Sequence, residues 1–403
     1  MLALRRRRSR RAPAADGCHP VEATVSLRGD SHAPCRVRTL ERMTQDLFTQ
    51  DDGAPEPEEA PRRRWRRPVL FVLTGAALLL VGGLVASLMY LNGLANTYEE
   101  SVQTFDETFP EDADRPDRPE RVETDEDGNE TVVEDESVNV LVIGSDDGGG
   151  SGAQEDLPMV PNAGRADTMM LVHIPHERDG IQVMSIMRDT WVEVPGHGHH
   201  KVNAAFSLGG VPLAVQTVES LFGVPIDHVA AMDMIGFQNL VGTLGGVTVD
   251  SPVSFTSRDG YSYSEGPQHM TPEEALSFVR ERRAFDGSGD YQRAANQQAF
   301  IGGVLSEVLQ PSTFTSPARI HEMVEDFAPH MTVNEELADP GHVASLGWEM
   351  RDVRGGDIDM FTLPNGGIGE AGGQSVIWPD EEAIAEASEA LQNGEFADYA
   401  AQH

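Results

Sequence analysis

Arg280, Arg282, Arg283 and Arg293 fall within fourteen residues of the stretch FVRERRAFDGSGDYQRAANQQ (278–298), and Gln297 follows Arg293 by four positions. Beyond residue 68 the chain has 15 basic residues against 56 acidic ones, so this stretch concentrates cations where the rest repels anions. Thr271-Pro-Glu-Glu274 has the pattern of a capping box with proline at the first helical position. It predicts a helix ending near Arg280–Arg283, where the negative end of the dipole favours cations. Gly287-Ser-Gly289 predicts a loop, and Asp290 is placed to cap a second helix running toward Leu309, closed by Pro311. On that helix Arg293 and Gln297 share one face. Two guanidinium groups at one helix end and an Arg/Gln face at the start of the next fit an anion, most naturally a phosphate. The competing reading is a set of surface ion pairs with Glu281, Asp286 and Asp290.

Further charged groups sit at predicted strand ends, where ligands gather in α/β sheets. The apolar run Val138–Gly144 delivers Ser145, Asp146 and Asp147. A glycine-rich loop follows, then Arg165-Ala-Asp167-Thr168 and a strand over 169–174. A third strand, 181–187, ends on Arg188-Asp189-Thr190. Lys201, the only lysine of the chain, follows a histidine cluster (His197, His199, His200) whose spacing fits no fixed zinc geometry. The candidates are therefore the carboxylates Asp146 and Asp167, with Asp147 an alternative to the first, and the cations Arg165, Arg188, Lys201, Arg280, Arg282 and Arg293, with Gln297. Two carboxylates beside a phosphate-binding cluster point to Mg²⁺ or Mn²⁺ bridging carboxylate and phosphate oxygens. The implied chemistry is metal-dependent phosphoryl or pyrophosphate transfer.

The elements that must position these groups alternate. Helices are expected over 204–222, 235–244, 317–327, 343–350 and 381–391, besides the two arginine helices. Strands are expected over 226–232, 246–253 and 358–363. The fold class is α/β, a mixed central sheet flanked by helices and preceded by one transmembrane helix. The 403 residues carry 30 Lys+Arg and 66 Asp+Glu, a net charge of −36. Residues 1–68 hold 15 arginines and end on Arg62-Arg-Arg-Trp-Arg-Arg67, directly before 23 uncharged residues, Val69–Leu91. That length spans a bilayer, and the arginine asymmetry puts the N-terminus in the cytoplasm. The expected order is a disordered arginine-rich cytoplasmic tail (1–68), a transmembrane helix (69–91), an acidic extracellular linker (92–136), an extracellular catalytic domain (137–393) and a short tail (394–403). Cys18 and Cys35 both precede the span, so the exported part must fold without disulfides. No helix-turn-helix pattern occurs in the tail, which argues against nucleic-acid binding.

Taken in order, NVLVIGSD (139–146), RADTMMLVHI (165–174), SIMRDTWVEVPG (185–196), KVNAAFSLGG (201–210), GGVTVD (245–250) and ALSFVRERR…DYQRAANQQ resemble the LytR-CpsA-Psr cell-wall ligases. The resemblance runs from about Val138 through Val308 and less firmly to Leu391. It implies a membrane-anchored α/β enzyme that moves a glycopolymer from a polyprenyl-pyrophosphate carrier onto the C6 hydroxyl of N-acetylmuramic acid in peptidoglycan. Asp146 and Asp167 would then hold the metal; Arg188, Lys201, Arg280, Arg282, Arg293 and Gln297 would grip the pyrophosphate. Three departures are visible: Met187 stands where the family usually has proline, Asn296 stands where its RxxRQQ pattern has a second arginine, and the loop between the two metal carboxylates is long and glycine-rich, which leaves Asp146 and Asp147 as alternatives. A polyprenyl tail needs an apolar groove, for which helices 204–222 and 235–244 are the apolar elements in sight, although such residues are more often core. The alternatives are a polyprenyl-pyrophosphate hydrolase using the same site and a non-catalytic, membrane-anchored binding or regulatory protein.

Overall fold

The apolar run 138–145 pairs on both sides, and the rest of the sheet is assembled around it. A computed structural model describes residues 66–124, 130–145, 168–285, 289–314 and 316–403. Leu70–His403 form one unit, separate from Met1–Val69. All but the last three residues of the arginine-rich segment 1–68 lie outside the described residues.

Seven strands make the main sheet: β1 (Gln103–Thr104), β2 (Val138–Ser145), β3 (Thr168–Ile174), β4 (Ile181–Ile186), β5 (His228–Asp233), β6 (Met331–Val333) and β7 (Ile358–Thr362). Their order is β1-β6-β5-β2-β3-β4-β7. β2 runs parallel to β5 and antiparallel to β3, β4 is antiparallel to β3, and β7 is parallel to β4. The sheet is therefore mixed, as expected. Alternation sorts its side chains. Leu141, Ile143, Met169, Leu171, Met184 and Ile186 join one core, whereas Met170, Ile181 and Val183 join another with Val142 and Val172 packed against it. Helices α2 (Ala204–Phe222), α8 (Glu381–Asn393) and α9 (Phe396–Ala400) supply the first core. α2 is interrupted at Gly209 and Gly210, and Gly210 has φ 71°, a left-handed conformation that glycine adopts without a Cβ penalty.

Helices α3 (Met234–Leu244), α4 (Pro272–Arg280) and α5 (Gly289–Val308) enclose a separate core with Val247, Val249, Tyr263 and Met270. The strand expected over 246–253 forms at 247–251, but its partner is 266–270 in a two-stranded sheet of its own. The capping box at the start of α4 is present: Glu274 N–H donates to Thr271 Oγ1 (3.4 Å) and Thr271 N–H donates to Glu274 Oε2 (2.8 Å). Beyond α5 come α6 (Pro317–Phe327) and α7 (Pro340–Glu349).

Two regions differ from the expected layout. The apolar helix α1 runs from Arg66 to Ser101, and Gly75–Ser101 is long and apolar enough to cross a membrane. It continues into the domain without a free stalk. Tyr90 and Tyr98 donate hydroxyl hydrogen bonds to the carbonyls of Pro317 (2.5 Å) and Leu337 (2.6 Å), and β1 joins the sheet edge beside β6. Arg115 then pairs with the buried Glu219 at 2.7 Å and with the Ile226 carbonyl at 2.6 Å, while Arg118 pairs with Asp227. Much of the acidic 92–136 segment is thus bound to the domain by its arginines. The expected tail 394–403 likewise packs: Phe396 is fully buried and its ring meets those of Phe361 and Tyr399.

Candidate functional site

One edge of the sheet collects the chain ends that matter. Gly144 of β2 pairs with Thr168 of β3 and with Met232 of β5, and Met169 pairs with Ile186 of β4. The exit of β2, the entry of β3, the exit of β5 and the exit of β4 therefore lie side by side. Asp146 and Asp147 follow β2 and Arg165 and Asp167 precede β3, but all four lie outside the described residues.

Arg188 leaves β4 in a turn held at several points. Thr190 N–H and Oγ1 both donate to the Met187 carbonyl (2.9 and 2.6 Å), Asn203 N–H donates to the Arg188 carbonyl (3.2 Å) and Ile377 N–H donates to the Asp189 carbonyl (2.9 Å). The next residues form a hairpin that the sequence reading missed, Trp191–Val194 with Gly198–Lys201, in which Lys201 pairs with Trp191. That return brings Lys201 Nζ to 3.0 Å from Asp189 Oδ1, while Arg188 Nε lies 3.7 Å from Asp189 Oδ2. Asp189 was not among the expected site residues. Its position between Arg188 and a hydroxyl-bearing turn residue was a signal, but only the hairpin register reveals the lysine.

Arg293 and Gln297, one turn apart on α5, line the same cleft as Arg188 and Asp189, a space of about 380 Å³ also bordered by Thr168, Ser185 and Ile377. Arg293 is only 5 % exposed. Gln297 Oε1 accepts from Thr168 Oγ1 at 2.9 Å, which ties α5 to the entry of β3. Asn296, at the departure from the arginine pattern, is fully buried and faces α4: it donates to the Phe278 carbonyl (3.3 Å) and accepts from Gln292 (3.2 Å).

Arg280 ends α4 and is exposed, Arg282 is half-buried, and neither lines the cleft formed by Arg188, Arg293 and Gln297. The backbone that carries them is organised by Glu281. Its Oε1 accepts the N–H groups of Arg282 (3.0 Å), Arg283 (2.7 Å) and Ala284 (3.0 Å), and its Oε2 accepts that of Arg258 (2.6 Å). Burial alone would raise its pKa, but the four N–H donors outweigh it and hold the carboxyl below its ordinary value. Glu281 thus caps the arginine turn instead of forming the surface ion pair considered from sequence. Asp286 lies outside the described residues, as does the side chain of Asp290. Gly289 starts α5 against this turn: a Cβ there would stand 2.3 Å from the Arg282 carbonyl oxygen, so only glycine fits.

A second space, about 390 Å³, adjoins the charged cleft through the shared residues Thr168 and Gln297. Its other walls are Val142, Gly144, Met232, Val279, Phe300 and Ile301. Among the described side chains none of 204–222 or 235–244 lines it; α2 is consumed by the main core, and Leu240, Val241 and Leu244 of α3 by the second. At the opposite end of the sheet His228, Glu336 and His342 form a cluster that could hold a metal ion. Burial, and then the facing His342, lower the His228 pKa.

Known proteins resemble this chain in sequence and fold. Over 252 residues the chain is 30 % identical to the polyisoprenyl-teichoic acid–peptidoglycan teichoic acid transferase TagU of Bacillus anthracis, covering 62 % of this chain and 74 % of that protein. It is 32 % identical over 269 residues to the protein of that name from Oceanobacillus iheyensis, covering 65 % and 76 %. The crystal structure of B. subtilis TagV superposes with a TM-score of 0.53 at 23 % identity, covering 65 % of this chain and 98 % of that one, a likeness of fold. The sequence model of the LytR_cpsA_psr family matches residues 100–393, from the sheet's first strand to the closing helix, and the chain belongs to that family.

Proposed function

We propose that this protein is a membrane-anchored phosphotransferase that moves a teichoic-acid-type glycopolymer from a polyprenyl-pyrophosphate carrier onto peptidoglycan. The observation that carries the reading is the adjacency of two unlike spaces. One is lined by Arg188, Arg293 and Gln297, the other by aliphatic and aromatic side chains, and Thr168 and Gln297 border both. A lipid pyrophosphate makes that double demand, a doubly charged head beside a hydrocarbon tail. The relatives named as teichoic acid transferases support the same substrate class.

In this reading Arg188 and Arg293 neutralise the diphosphate and the charge that develops on the departing polyprenyl phosphate. Lys201, positioned by Asp189, and Arg280 and Arg282, on the turn organised by Glu281, add to the same field. Arg165 belongs to the same set. The acceptor hydroxyl, at C6 of N-acetylmuramic acid, attacks the sugar-proximal phosphorus. The new P–O bond is a phosphodiester, and the broken one releases polyprenyl phosphate. Asp146 and Asp167 lie within two residues in sequence of the paired Gly144 and Thr168, which supports a shared role. Two carboxylates there suit Mg²⁺ or Mn²⁺, which when bound would supply further charge neutralisation. The arginine-rich segment before the apolar span supports an N-terminus in the cytoplasm and a domain outside.

The test is product analysis with the full chain, a short polyprenyl-pyrophosphoryl saccharide and a peptidoglycan oligomer. A phosphodiester-linked conjugate is expected. Free phosphosaccharide would identify a hydrolase, and absence of both products a binding protein; either result overturns the proposal.

A further inference from the structure

His228, His342 and Glu336 meet at the end of the sheet remote from the charged cleft. His228 opens β5 and pairs with Val140 near the start of β2, whereas the cleft gathers where Gly144 pairs with Met232. His228 is 4 % exposed. Its Nε2 lies 3.2 Å from Nε2 of His342, on α7, and its Nδ1 lies 3.6 Å from Oε2 of Glu336, on the short helix Glu335–Ala338. Two stretches distant in sequence, the start of β5 and residues 336–342, thus present nitrogen and carboxylate groups to one point.

Two imidazole nitrogens bound to one tetrahedral zinc ion at ~2.0–2.1 Å stand about 3.3 Å apart. The separation of the two Nε2 atoms, 3.2 Å, is close to that value, so the pair is spaced to share one ion. The surroundings also set the proton. Asn334 Oδ1 accepts the Val229 N–H at 3.2 Å, which turns its Nδ2 toward His228 Nδ1, 3.3 Å away. His228 therefore carries its proton on Nε2 and donates it to His342 when no ion is bound. An ion between the rings takes the place of that proton, which shifts to Nδ1. There the exposed Glu336 carboxylate, 3.6 Å away, has to close by a few tenths of an ångström and displace the Asn334 amide to accept it, giving the carboxylate–histidine–metal arrangement that orients ligating imidazoles. Glu336 is two-thirds exposed, so the remaining coordination positions open to water.

We propose that His228 and His342, supported by Glu336, bind a zinc-type transition-metal ion at a site separate from the cleft. Imidazole donors favour zinc, copper or nickel over magnesium, which prefers oxygen ligands and keeps its waters. The role is structural. Leu337, next to Glu336, accepts the Tyr98 hydroxyl hydrogen bond, and Tyr98, Leu337 and Ala338 pack on a cluster that includes Ala230 of β5 and Val333 of β6. An ion joining β5 to α7 fastens the seat on which the apolar helix α1 rests.

The test uses the full chain in detergent micelles, titrated with zinc chloride against a chromophoric chelator, with thermal unfolding followed in parallel. Wild type should bind one His342-dependent equivalent, which His342→Ala weakens at least tenfold and Glu336→Gln, at an exposed position, weakens severalfold. At a hundredfold excess over Kd the midpoint should rise by ~5 °C in wild type and not in His342→Ala. His199→Ala, in the hairpin Trp191–Lys201, should leave both readings unchanged, and magnesium chloride should produce no His342-dependent rise. Identical zinc isotherms for wild type, His342→Ala and Glu336→Gln would overturn the proposal, as would loss of the equivalent in His199→Ala alone.

Discussion

Lys201 Nζ stands 3.0 Å from Asp189 Oδ1, so the chain's only lysine is paired to the residue that directly follows Arg188. Both partners are about one-fifth exposed, wet enough to exchange a carboxylate for a substrate phosphate and dry enough for the pair to hold a geometry. Asp189→Ala should cut turnover roughly tenfold, corresponding to about 1.5 kcal/mol of lost positioning, while the unfolding midpoint moves little. Wild-type turnover in that variant would show that Lys201 is placed by the hairpin alone.

Arg293 and Arg283 differ in burial and should differ in effect. Arg293→Ala should lower turnover about ten- to a hundredfold, and Arg293→Lys should recover part of it, because an ammonium lacks the bidentate fork. Exposed Arg283 contributes its N–H to Glu281 through the backbone, which Arg283→Ala retains, so that variant should behave as wild type. Equal rates for the two alanine variants would mean that the cleft is not where the phosphates bind.

If Asp146 and Asp167 share a divalent ion, turnover should stop in EDTA and return with Mg²⁺ or Mn²⁺. Asp167→Ala should abolish the metal-dependent turnover with the fold intact by circular dichroism. Activity in that variant that chelator does not touch would dismiss the carboxylate pair.

His173 should make the domain acid-sensitive. It is 2 % exposed, its Nδ1 lies 2.8 Å from Asn139 Oδ1, and burial, opposed by Asp135 and aided by Arg178, pushes its pKa down to about 4. The unfolded chain takes up this proton below its ordinary value of 6.5, whereas the folded ring stays neutral until about 4. The contribution is therefore complete above 6.5 and erodes as the pH falls toward 4, by roughly 3 kcal/mol from this ring. Urea midpoints at pH 7 and pH 5 should diverge in wild type and converge in His173→Gln. An unchanged gap in the variant would assign the acid sensitivity to other groups.

Much of this arrangement can be read from the residues. The runs 138–145, 168–174 and 181–186 are continuous and apolar because both faces of the sheet are covered, and such runs announce buried strands. Arg293 and Gln297 are four apart on a helix with clear stops, so their shared face follows from the helical period. What stayed hidden depends on distant partners. Residues 92–136 have the composition of a linker, and nothing local reveals that Arg115 finds Glu219 or that Arg118 finds Asp227. Alternation at 247–251 marks a strand but not its partner at 266–270. The hairpin that carries Lys201 to Asp189 is polar and glycine-punctuated, so it offered no periodic signal. Glu281 read as one more surface charge because its four partners are backbone groups, which a sequence does not display.

The passage from α1 into β1 sets a working height. Gly75–Ser101 comprises 27 residues, about 40 Å of helix, against a hydrocarbon core of ~30 Å. The excess is not slack: Tyr90 and Tyr98 are already bonded to the domain, and Val102 is buried in its cluster. A domain mounted in this way cannot wander outward like one on a flexible leash. In the proposed topology its reach is short, so a lipid-borne donor would meet it at the bilayer surface, and only wall strands within that shallow zone would come within its grasp. The mount would then favour wall material close to the membrane through distance alone, without any recognition of age.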